Sequence, residues 1–295
     1  MRVVVTGAKG QVAASLAELA PEVGHELVAI GRPELELGGE RLAIALALER
    51  ARPDVIVSAA AYTAVDRAEA EPDLAFAVNA RGAGSVAAAA AALGVPLVHL
   101  STDYVFDGRK LEPYVEEDPV GPTGVYGRSK LEGEELVRAA HHDVAILRTA
   151  WVYSPFGANF VRTMLKVAES RDQVSVVADQ YGNPTSALDI ARAVLAIAEQ
   201  LTRSKSPQLR GIFHMTGSGE ASWAELADHV FAASAALGGP SARVHRIPTA
   251  DYPTPARRPS NSRLNCQRLS TAYGVTLPDW HQSVSEVVRR LVQSN

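Results

Sequence analysis

Cysteine, long apolar runs and an excess of basic charge are all scarce in this sequence of 295 residues. The single Cys266 excludes an intrachain disulfide, and with no histidine near it in the sequence a buried or loop thiol is favoured over a nucleophile. The longest apolar stretch, residues 86–98, contains Gly94 and Pro96 and falls short of the roughly 20 residues that cross a bilayer. The formal net charge of −4, with no basic stripe, argues against a nucleic-acid partner.

What is abundant is typical of a globular enzyme. Hydrophobic residues make up 47% of the chain and charged residues 21%, which is ample for a large core, and the length exceeds one typical domain. Met1 and Arg2 run straight into the first predicted strand without a signal-peptide layout, so we expect a cytoplasmic protein that does not bind membranes. His141 and His142 lack cysteines or carboxylates at ligand spacing, so we predict no metal site.

A glycine-containing loop follows the first β-branched run, residues 3–6. Gly7 would allow a tight turn, Gly10 would let the backbone approach phosphates, and Ala13 is small enough for close packing of a helix on the strand. The apolar pattern then continues through Leu16 as a helix. This order of strand, turn and helix predicts a dinucleotide pyrophosphate at the helix N-terminus, although an ordinary strand-to-helix turn gives the same pattern.

The second predicted strand, residues 26–30, ends just before Arg32, where many NAD-binding chains place an acidic residue. An arginine there favours a ribose 2′-phosphate, so we predict NADPH, with NADH possible. The alternative is a solvated arginine on a loop. Glu36 and Leu37 follow where the adenine should lie, and we predict that they line its site.

Tyr126 and Lys130 are four residues apart in a predicted helix and would share one face of it. An ammonium beside the phenol stabilises the phenolate, which lowers the phenol pKa from a reference of about 10. Such a phenol can donate a proton to a carbonyl oxygen while a hydride arrives at carbon, and the Thr102 hydroxyl can hold the same oxygen. The pattern indicates carbonyl reduction, but the pair alone would also fit an incidental pair on a surface helix.

Strands and helices alternate along the first half of the chain. Further strands are predicted at residues 54–58, 95–100 and 144–149, and an alanine-rich helix at residues 74–93. This rhythm predicts an α/β fold with a Rossmann-like, doubly wound parallel sheet, whose ligands lie at the carboxyl ends of the strands. The loops that follow these ends carry Thr102 and the other motifs.

Beyond residue 150 the rhythm loosens into a smaller C-terminal α/β substrate domain. Its predicted helices span residues 160–169, 222–236 and 282–292. A helix at residues 189–201 and a strand at residues 211–215 return to the first domain. We therefore predict a dinucleotide-binding domain at residues 1–150 and about 186–217, and a substrate domain at about 151–185 and 218–295.

Over nearly its whole length the sequence resembles the dTDP-4-dehydrorhamnose reductases, a family of extended short-chain dehydrogenases/reductases. General motifs of short-chain reductases match at residues 6–12, 101–106, 126–130 and 148–153, and blocks more specific to this family match at residues 59–66, 179–185 and 257–264. The resemblance implies reduction of the 4-keto group of dTDP-4-dehydro-6-deoxy-L-mannose to dTDP-L-rhamnose by a reduced nicotinamide cofactor.

The resemblance also implies roles for individual residues. Tyr126 would be the proton donor, Lys130 would lower its pKa and hold the nicotinamide ribose, and Thr102 would bond the reacting oxygen. Further implied cofactor contacts are Gly10, Gln11, Val12, Ala61, Tyr62 and Thr63. Asn79 matches a position that organises a helix near the active site.

On the substrate side, the resemblance implies that Asp103 and Trp151 lie beside the sugar, although Trp151 could instead be a core aromatic. Arg257 and Arg258 could bind the substrate diphosphate, or could tie the C-terminal loop to acidic neighbours. Some family members bridge two subunits with magnesium through an acidic residue on the first helix. Ser15 stands at that position here, so we expect a monomer or homodimer without a bridging metal.

Two other functions stay open at this point. Another enzyme acting on nucleotide sugars, such as an epimerase or dehydratase, would need further acid–base groups beside Thr102, and Asp103 is the candidate. A non-catalytic regulatory subunit resembling the β subunit of methionine adenosyltransferase would tolerate loss of Tyr126, Lys130 and Thr102, all of which are present.

Overall fold

The computed structural model describes residues 1–293, which form strands β1 to β12, helices α1 to α11, four 3₁₀ turns and one π-helical turn. The strands are β1 Arg2–Thr6, β2 Glu26–Ile30, β3 Val55–Ser58, β4 Leu97–Thr102, β5 Val144–Thr149, β6 Val152–Tyr153, β7 Gln173–Val177, β8 Tyr181–Gly182, β9 Thr185–Ser186, β10 Gly211–His214, β11 Ala221–Ser222 and β12 Arg243–Ile247. The helices are α1 Gln11–Leu19, α2 Arg41–Ala51, α3 Val65–Ala68, α4 Pro72–Phe76, α5 Ala83–Leu93, α6 Val125–Ala140, α7 Phe160–Ala168, α8 Ala187–Arg203, α9 Trp223–Ala235, α10 Gln267–Tyr273 and α11 Trp280–Gln293. The π-helical turn is Ala77–Gly82, and the 3₁₀ turns are Pro21–Val23, Asp103–Val105, Pro207–Leu209 and Thr249–Asp251.

Six of these strands form the central sheet in the order β10-β5-β4-β3-β1-β2, with every neighbouring pair parallel. The chain moves outward from β1 in both directions, first to β2 and then to β3. The gap between β1 and β3 is therefore a topological switch point, where α/β sheets bind ligands beyond their strand ends. The predicted Rossmann-like, doubly wound fold is confirmed.

The side chains of β1 show why its sequence is a continuous apolar run. Val3 and Val5 face one core cluster and Val4 faces a second, and all three are completely buried. A parallel sheet covered by helices on both faces needs apolar residues at successive positions, because alternate side chains point to opposite faces. The β-branched residues of the first strand thus lie in the centre of the molecule.

The first core cluster continues from the sheet into the C-terminal helices. It includes Leu16 of α1 and Val194 of α8 together with Phe231 of α9 and Val284 of α11. The same cluster therefore contains residues from both predicted domains. The boundaries between a domain of residues 1–150 with about 186–217 and a domain of the remaining residues stay a prediction.

The alanine-rich helix predicted at residues 74–93 is built from three segments: α4, the π-helical turn and α5. The turn packs tightly on its neighbours, since a Cβ at Gly82 would lie 2.5 Å from the carbonyl oxygen of Leu37 and one at Gly133 of α6 would lie 2.2 Å from that of Asn79. A π-helical turn adds a residue to the helix and re-aims its side chains. Here it presents Asn79 to the loop that follows β3.

Within the described chain, one helical stretch, Pro72–Leu93, is long and apolar enough to cross a membrane by length and composition. The sequence analysis considered only the unbroken apolar run of residues 86–98, which makes up part of this helix and the start of the next strand. Half of its most apolar window is buried inside the structure, which is also how a core helix of a globular domain behaves.

The C-terminal part contains three two-stranded sheets: β7 with β12, β8 with β11, and β6 with β9. Helix α9 begins with a capping box in which the Ser222 hydroxyl accepts from the Glu225 N–H and the Glu225 carboxylate accepts from the Ser222 N–H. The helices predicted in this region are confirmed within two residues at their ends. Helix α9 packs on β7 and β12, α7 packs on β7, and α11 packs on α7 and α9.

Candidate active site

The glycine loop after β1 has the geometry of a phosphate cradle. Gly7 has a φ of 91°, and a Cβ there would lie 3.0 Å from the Cα of Ala60, so a larger residue would be strained and crowded. Gly10 is the N-cap of α1, and no side chain within residues 1–293 caps this helix. The N–H groups of its first turn are thus available to an anion. Gly7 and Gly10 fit a dinucleotide pyrophosphate.

The next two residues of the loop connect it to the rest of the protein. Gln11 Oε1 accepts hydrogen bonds from Ser154 Oγ at 2.8 Å and from Asn159 Nδ2 at 3.0 Å. Val12 is partly buried against the core. Gln11 therefore ties the start of α1 to the segment between β6 and α7, while contacts of Gln11 and Val12 with the pyrophosphate stay predictions.

The loop after β2 lies against the glycine loop. A Cβ at Gly31 would lie 3.1 Å from the backbone nitrogen of Ala8. The backbone immediately before Arg32 therefore lies against the glycine loop. The Arg32 side chain is 80% exposed and its Nε is 3.7 Å from Glu36 Oε2, a weak solvated pair. Leu37 is buried in the second core cluster. The three residues lie on one loop, and their contacts with the adenosine end of the cofactor stay predictions.

The loop after β3 is held by Asn79. The Tyr62 N–H donates to Asn79 Oδ1 at 2.7 Å, and Asn79 Nδ2 donates to the Tyr62 carbonyl at 3.1 Å and to Ser129 Oγ of α6 at 3.0 Å. Asn79 thus fixes this loop relative to the helix that carries Tyr126. Ala61 is partly buried and Thr63 is exposed, and their predicted contacts with the cofactor, like that of Tyr62, stay predictions.

The structure brings Tyr126, Lys130 and Thr102 to the same edge of the sheet. Tyr126 lies in the first turn of α6 with its ring edge-on to Tyr104 at 5.5 Å between centroids. Lys130 lies one turn further on and is buried, and its Nζ donates to the Leu100 carbonyl of β4 at 2.7 Å. Thr102 is the last residue of β4. Helix α6 and strand β4 therefore carry the three groups side by side.

The electrostatics of this site differ from the sequence expectation. Burial raises the pKa of Tyr126 above its usual value of 10.0, a hydrogen bond with Thr102 opposes the rise, and the Asp103 charge adds to it. Burial also lowers the pKa of Lys130 to about 8, and the Glu134 carboxylate opposes that shift. The predicted lowering of the Tyr126 pKa is therefore wrong for the protein chain by itself, because desolvation dominates. With its pKa above 10, the Tyr126 phenol is protonated at neutral pH.

Asp103 is a buried carboxyl directly after Thr102, in the first residue of a 3₁₀ turn. Its Oδ1 accepts from Thr102 Oγ1 at 2.8 Å, and its Oδ2 has no hydrogen-bond partner among the described residues. Burial raises its pKa to about 6, and the hydrogen bond from Thr102 opposes the rise. The predicted contact of this carboxyl with the sugar stays a prediction.

Trp151 follows β5 in a left-handed backbone conformation with a φ of 48°, which is unusual for a bulky residue. Its ring stacks on Trp223 of α9, with 3.6 Å between centroids and 6° between planes. On another side it covers Gly182, where a Cβ would lie 2.3 Å from the Trp151 ring. Trp151 is only partly buried, so a contact with substrate stays a prediction.

The two arginines of the C-terminal loop have different environments. Arg258 Nη2 donates to Asp66 Oδ2 at 2.7 Å and its Nη1 donates to the Tyr104 hydroxyl at 3.3 Å. The second interpretation, that the pair ties the loop to acidic neighbours, thus holds for Arg258. Arg257 is exposed, and its predicted contact with the substrate diphosphate stays a prediction.

Sequence reasoning missed a buried ion pair behind the site, between Glu134 of α6 and Arg148 of β5. Glu134 is four residues after Lys130, so the spacing that singled out Lys130 could have found it. Trp223 was also missed, since only the folded chain shows that it stacks on Trp151. Within residues 1–293, no group of three or more His, Cys, Asp or Glu side chains is arranged to hold a metal ion. Ser15, buried in α1, donates to the Gln11 carbonyl.

Comparison with known proteins shows the family to which this chain belongs. The chain matches the family model described as "RmlD substrate binding domain" over residues 1–293. It belongs to the RmlD family. A relative from Sinorhizobium fredii named dTDP-4-dehydrorhamnose reductase is 54% identical over 293 residues, which is 99% of this chain and 98% of the relative.

Solved structures of the RmlD family agree over the full length. A crystal structure of a dTDP-4-dehydrorhamnose reductase from Clostridium acetobutylicum has a TM-score of 0.91 at 36% identity, with 99% of both chains covered. The Bacillus anthracis dTDP-4-dehydrorhamnose reductase, solved in complex with NADP, has a TM-score of 0.90 at 32% identity, covering 98% of this chain and 99% of its own. The family implied by the sequence motifs is thereby confirmed.

The buried carboxyl of Asp103 makes the stability of this RmlD-family chain depend on pH. Because its folded-state pKa of about 6 exceeds the usual 3.8, the stability that it contributes is complete below about pH 4 and is lost as the pH rises through 6. The neutral variant Asp103→Asn should therefore be more stable than the wild type near pH 7.5, by on the order of 3 kcal/mol, with little difference near pH 4. Chemical unfolding at both pH values measures this.

A matched control is Asp107→Asn. The backbone N–H of Arg109 and the Tyr114 hydroxyl lower the pKa of Asp107, so this variant should lose stability at neutral pH rather than gain it. If Asp103→Asn unfolds at the same midpoint as the wild type at both pH values, desolvation does not raise the Asp103 pKa.

Proposed function

We propose that this chain is an NADPH-dependent dTDP-4-dehydrorhamnose reductase, which reduces the 4-keto group of dTDP-4-dehydro-6-deoxy-L-mannose to give dTDP-L-rhamnose. Support comes from its place in the RmlD family and its 54% identity to a relative of that name. The observation that carries the chemistry is the meeting of Tyr126, Lys130 and Thr102 at the carboxyl edge of the sheet, the edge that also carries the glycine loop.

The residues at this edge suit a bound NADPH. The start of α1 has no side-chain cap, so its first N–H groups can meet the pyrophosphate, and Gly7 has the positive φ that the preceding turn requires. Arg32, on the adjacent loop, would hold the 2′-phosphate, and Lys130 would hold the nicotinamide ribose. When bound, NADPH supplies the hydride.

In the proposed reaction Tyr126 donates its phenolic proton to the 4-keto oxygen as the hydride adds to C4 of the sugar. Burial keeps this proton on the phenol until the carbonyl oxygen becomes basic, because it raises the Tyr126 pKa. Thr102 holds the same oxygen, and the Lys130 ammonium stabilises the phenolate that remains. The products are the C4 alcohol, the oxidised cofactor and a tyrosinate that regains its proton from solvent.

We further propose that the enzyme works in the cytoplasm as a monomer or homodimer, on a dTDP-sugar and without a nucleic-acid or membrane partner. The net charge of −4 supports the absence of a nucleic-acid partner. The alternative of a non-catalytic regulatory subunit would leave the three catalytic groups without a use. An epimerase or dehydratase would have to use Asp103 as an acid or base on the sugar.

The test is to supply the purified protein with the dTDP-4-keto-6-deoxy-L-sugar and NADPH, and to follow loss of nicotinamide absorbance with identification of the product. Formation of dTDP-L-rhamnose with one NADPH consumed per sugar is expected. Isomerised or dehydrated sugar without consumption of NADPH would instead mean epimerase or dehydratase chemistry, and no turnover with any of these substrates would favour the regulatory subunit.

Arg32→Ala should erode the preference for NADPH over NADH. Loss of the guanidinium removes a charge-assisted contact worth about 1.5 to 3 kcal/mol, so the KM for NADPH should rise by about tenfold or more while that for NADH stays near its wild-type value. Steady-state kinetics with both cofactors measure the ratio. Arg50→Ala, which removes another exposed guanidinium, on α2, is the control and should leave the ratio unchanged. An unchanged ratio in Arg32→Ala would mean that Arg32 does not contact the phosphate.

A further inference from the structure

The Glu134 carboxylate joins three elements behind the catalytic groups. Glu134 and Arg148 are each about 2% exposed or less. Arg148 of β5 donates through Nε to Oε1 at 2.9 Å and through Nη2 to Oε2 at 2.7 Å. Ser101 of β4 donates through Oγ to Oε1 at 2.5 Å. One side chain of α6 therefore holds both strands that end at the active site.

Strand β4 is held by α6 at two consecutive residues. The Leu100 carbonyl accepts from Lys130 Nζ at 2.7 Å, and the Ser101 hydroxyl donates to Glu134 one helical turn later. The next residue of β4 is Thr102. These two links therefore fix the distance between Thr102 and Tyr126, which lies one turn before Lys130 on the same helix.

The same carboxylate acts on the charge of Lys130. From α6, Glu134 opposes the effect of burial on the Lys130 pKa. From β4, His99 faces Lys130 with both ring nitrogens lacking a partner among residues 1–293, and burial lowers the His99 pKa so far that the ring is neutral. Arg148 of β5 is already engaged by Glu134 in two hydrogen bonds. Glu134 is therefore the anion that favours the protonated form of Lys130.

A gain in folding stability does not by itself explain why Glu134 and Arg148 are buried as an ion pair. A buried ion pair is often no more stabilising than apolar residues of the same volume, because desolvation of two charges offsets their attraction. What the pair offers is fixed geometry: a bidentate fork sets the orientation of both side chains. A role in positioning the active-site residues explains why two charges are buried where apolar residues could fill the core equally well.

We propose that Glu134 is a positioning residue of the reductase, which sets the spacing of Thr102 and Tyr126 and supplies the negative charge that keeps Lys130 an ammonium ion. This inference rests on the proposed function for its effect on turnover. Its effect on Lys130 can be measured without turnover, because the chain has five lysines and their ¹³Cε signals can be resolved by NMR.

Glu134→Gln keeps the shape of the side chain and removes the charge. We expect Lys130 to lose its proton about one pH unit lower than in the wild type, since an anion one helical turn away favours the ammonium by roughly that much. The alkaline limb of the pH profile for kcat should move down by the same amount, so that turnover near pH 8, where about half of Lys130 is protonated in the wild type, falls about fivefold. A Lys130→Arg variant assigns the NMR signal.

Because Glu134→Gln leaves Arg148 without its anion, the single variant can fail to fold. The double variant Glu134→Gln/Arg148→Met removes both charges, and a downward shift of the Lys130 titration should persist in it. The matched control is the ion pair between Asp143 and Arg210, at the opposite end of β5, with 2.6 Å between Oδ1 and Nη2. Asp143→Asn/Arg210→Met should cost stability and leave both the titration and the pH profile unmoved.

An unchanged Lys130 titration in the folded Glu134 variants would overturn the inference. So would the same shift in the Asp143/Arg210 control. If the wild type reduces no keto sugar and the Lys130 titration still shifts in Glu134→Gln, the reductase function fails and the charge coupling of Glu134 stands.

Discussion

Tyr126→Phe is expected to reduce kcat by two to four orders of magnitude while the affinity for NADPH changes little. This is the usual contribution of a positioned general acid, and the substitution removes only the hydroxyl that gives the proton to the keto oxygen. The ring remains in place against Tyr104, with which it makes an edge-on contact. Steady-state turnover of the dTDP-keto sugar and a fluorescence titration with NADPH measure the two quantities.

Tyr273→Phe is the matched control for loss of a buried phenol. Tyr273 is the last residue of α10, and its hydroxyl donates to the Leu209 carbonyl. This contact lies away from the carboxyl edge of the sheet. This variant should lose some stability and keep its turnover. Near-normal reduction of the keto sugar by Tyr126→Phe would remove Tyr126 from the mechanism, whatever the control does.

Gly127→Ala is expected to have the largest effect on stability. A Cβ at Gly127 would lie 2.2 Å from the Tyr104 carbonyl oxygen and 2.9 Å from Pro122 Cβ. Because the Tyr104 contact is a backbone atom, it cannot move aside as a flexible side chain can. Helix α6 must therefore shift away from the turn that follows Thr102. Overpacking of this kind costs typically about 1 to 3 kcal/mol, and we expect the upper end or more. Chemical unfolding measures the loss, and turnover should fall with it because Tyr126 moves.

Gly121→Ala provides the comparison, in the loop that leads to the same helix. A Cβ there would meet only Asp107 Cβ, at 3.5 Å, which is ordinary contact. Its unfolding free energy should stay within about 0.5 kcal/mol of the wild type. A wild-type midpoint for Gly127→Ala would mean that α6 does not pack as closely on Tyr104 as the structure has it.

Much of the fold is readable from the sequence because the signals are local. The run Val3 to Val5 predicts a doubly covered strand, since alternate residues face opposite helix layers. The spacing of Tyr126 and Lys130 predicts a shared helix face. Thr102 could be placed beside them because parallel strands end at one edge of the sheet. These inferences need only the periods of helices and strands and the rule of parallel connection.

The parts that could not be predicted depend on contacts between distant residues. Whether desolvation or a neighbouring charge sets the Tyr126 pKa depends on how deeply the folded chain buries the phenol, which no spacing shows. Arg258 meets Asp66 across 192 residues. The helix at residues 72–93 contains a π-helical turn in which Gly82 lies close to Leu37, and helix propensity alone does not predict this contact.

The stacked rings of Trp151 and Trp223 have a spectroscopic consequence. Two of the three tryptophans in the chain lie face to face at 3.6 Å, close enough for their electronic transitions to couple. Their joint circular dichroism in the near ultraviolet therefore depends on the angle between α9 and the end of β5. The protein carries an intrinsic optical probe at the predicted sugar side, which reports movement there without any attached dye.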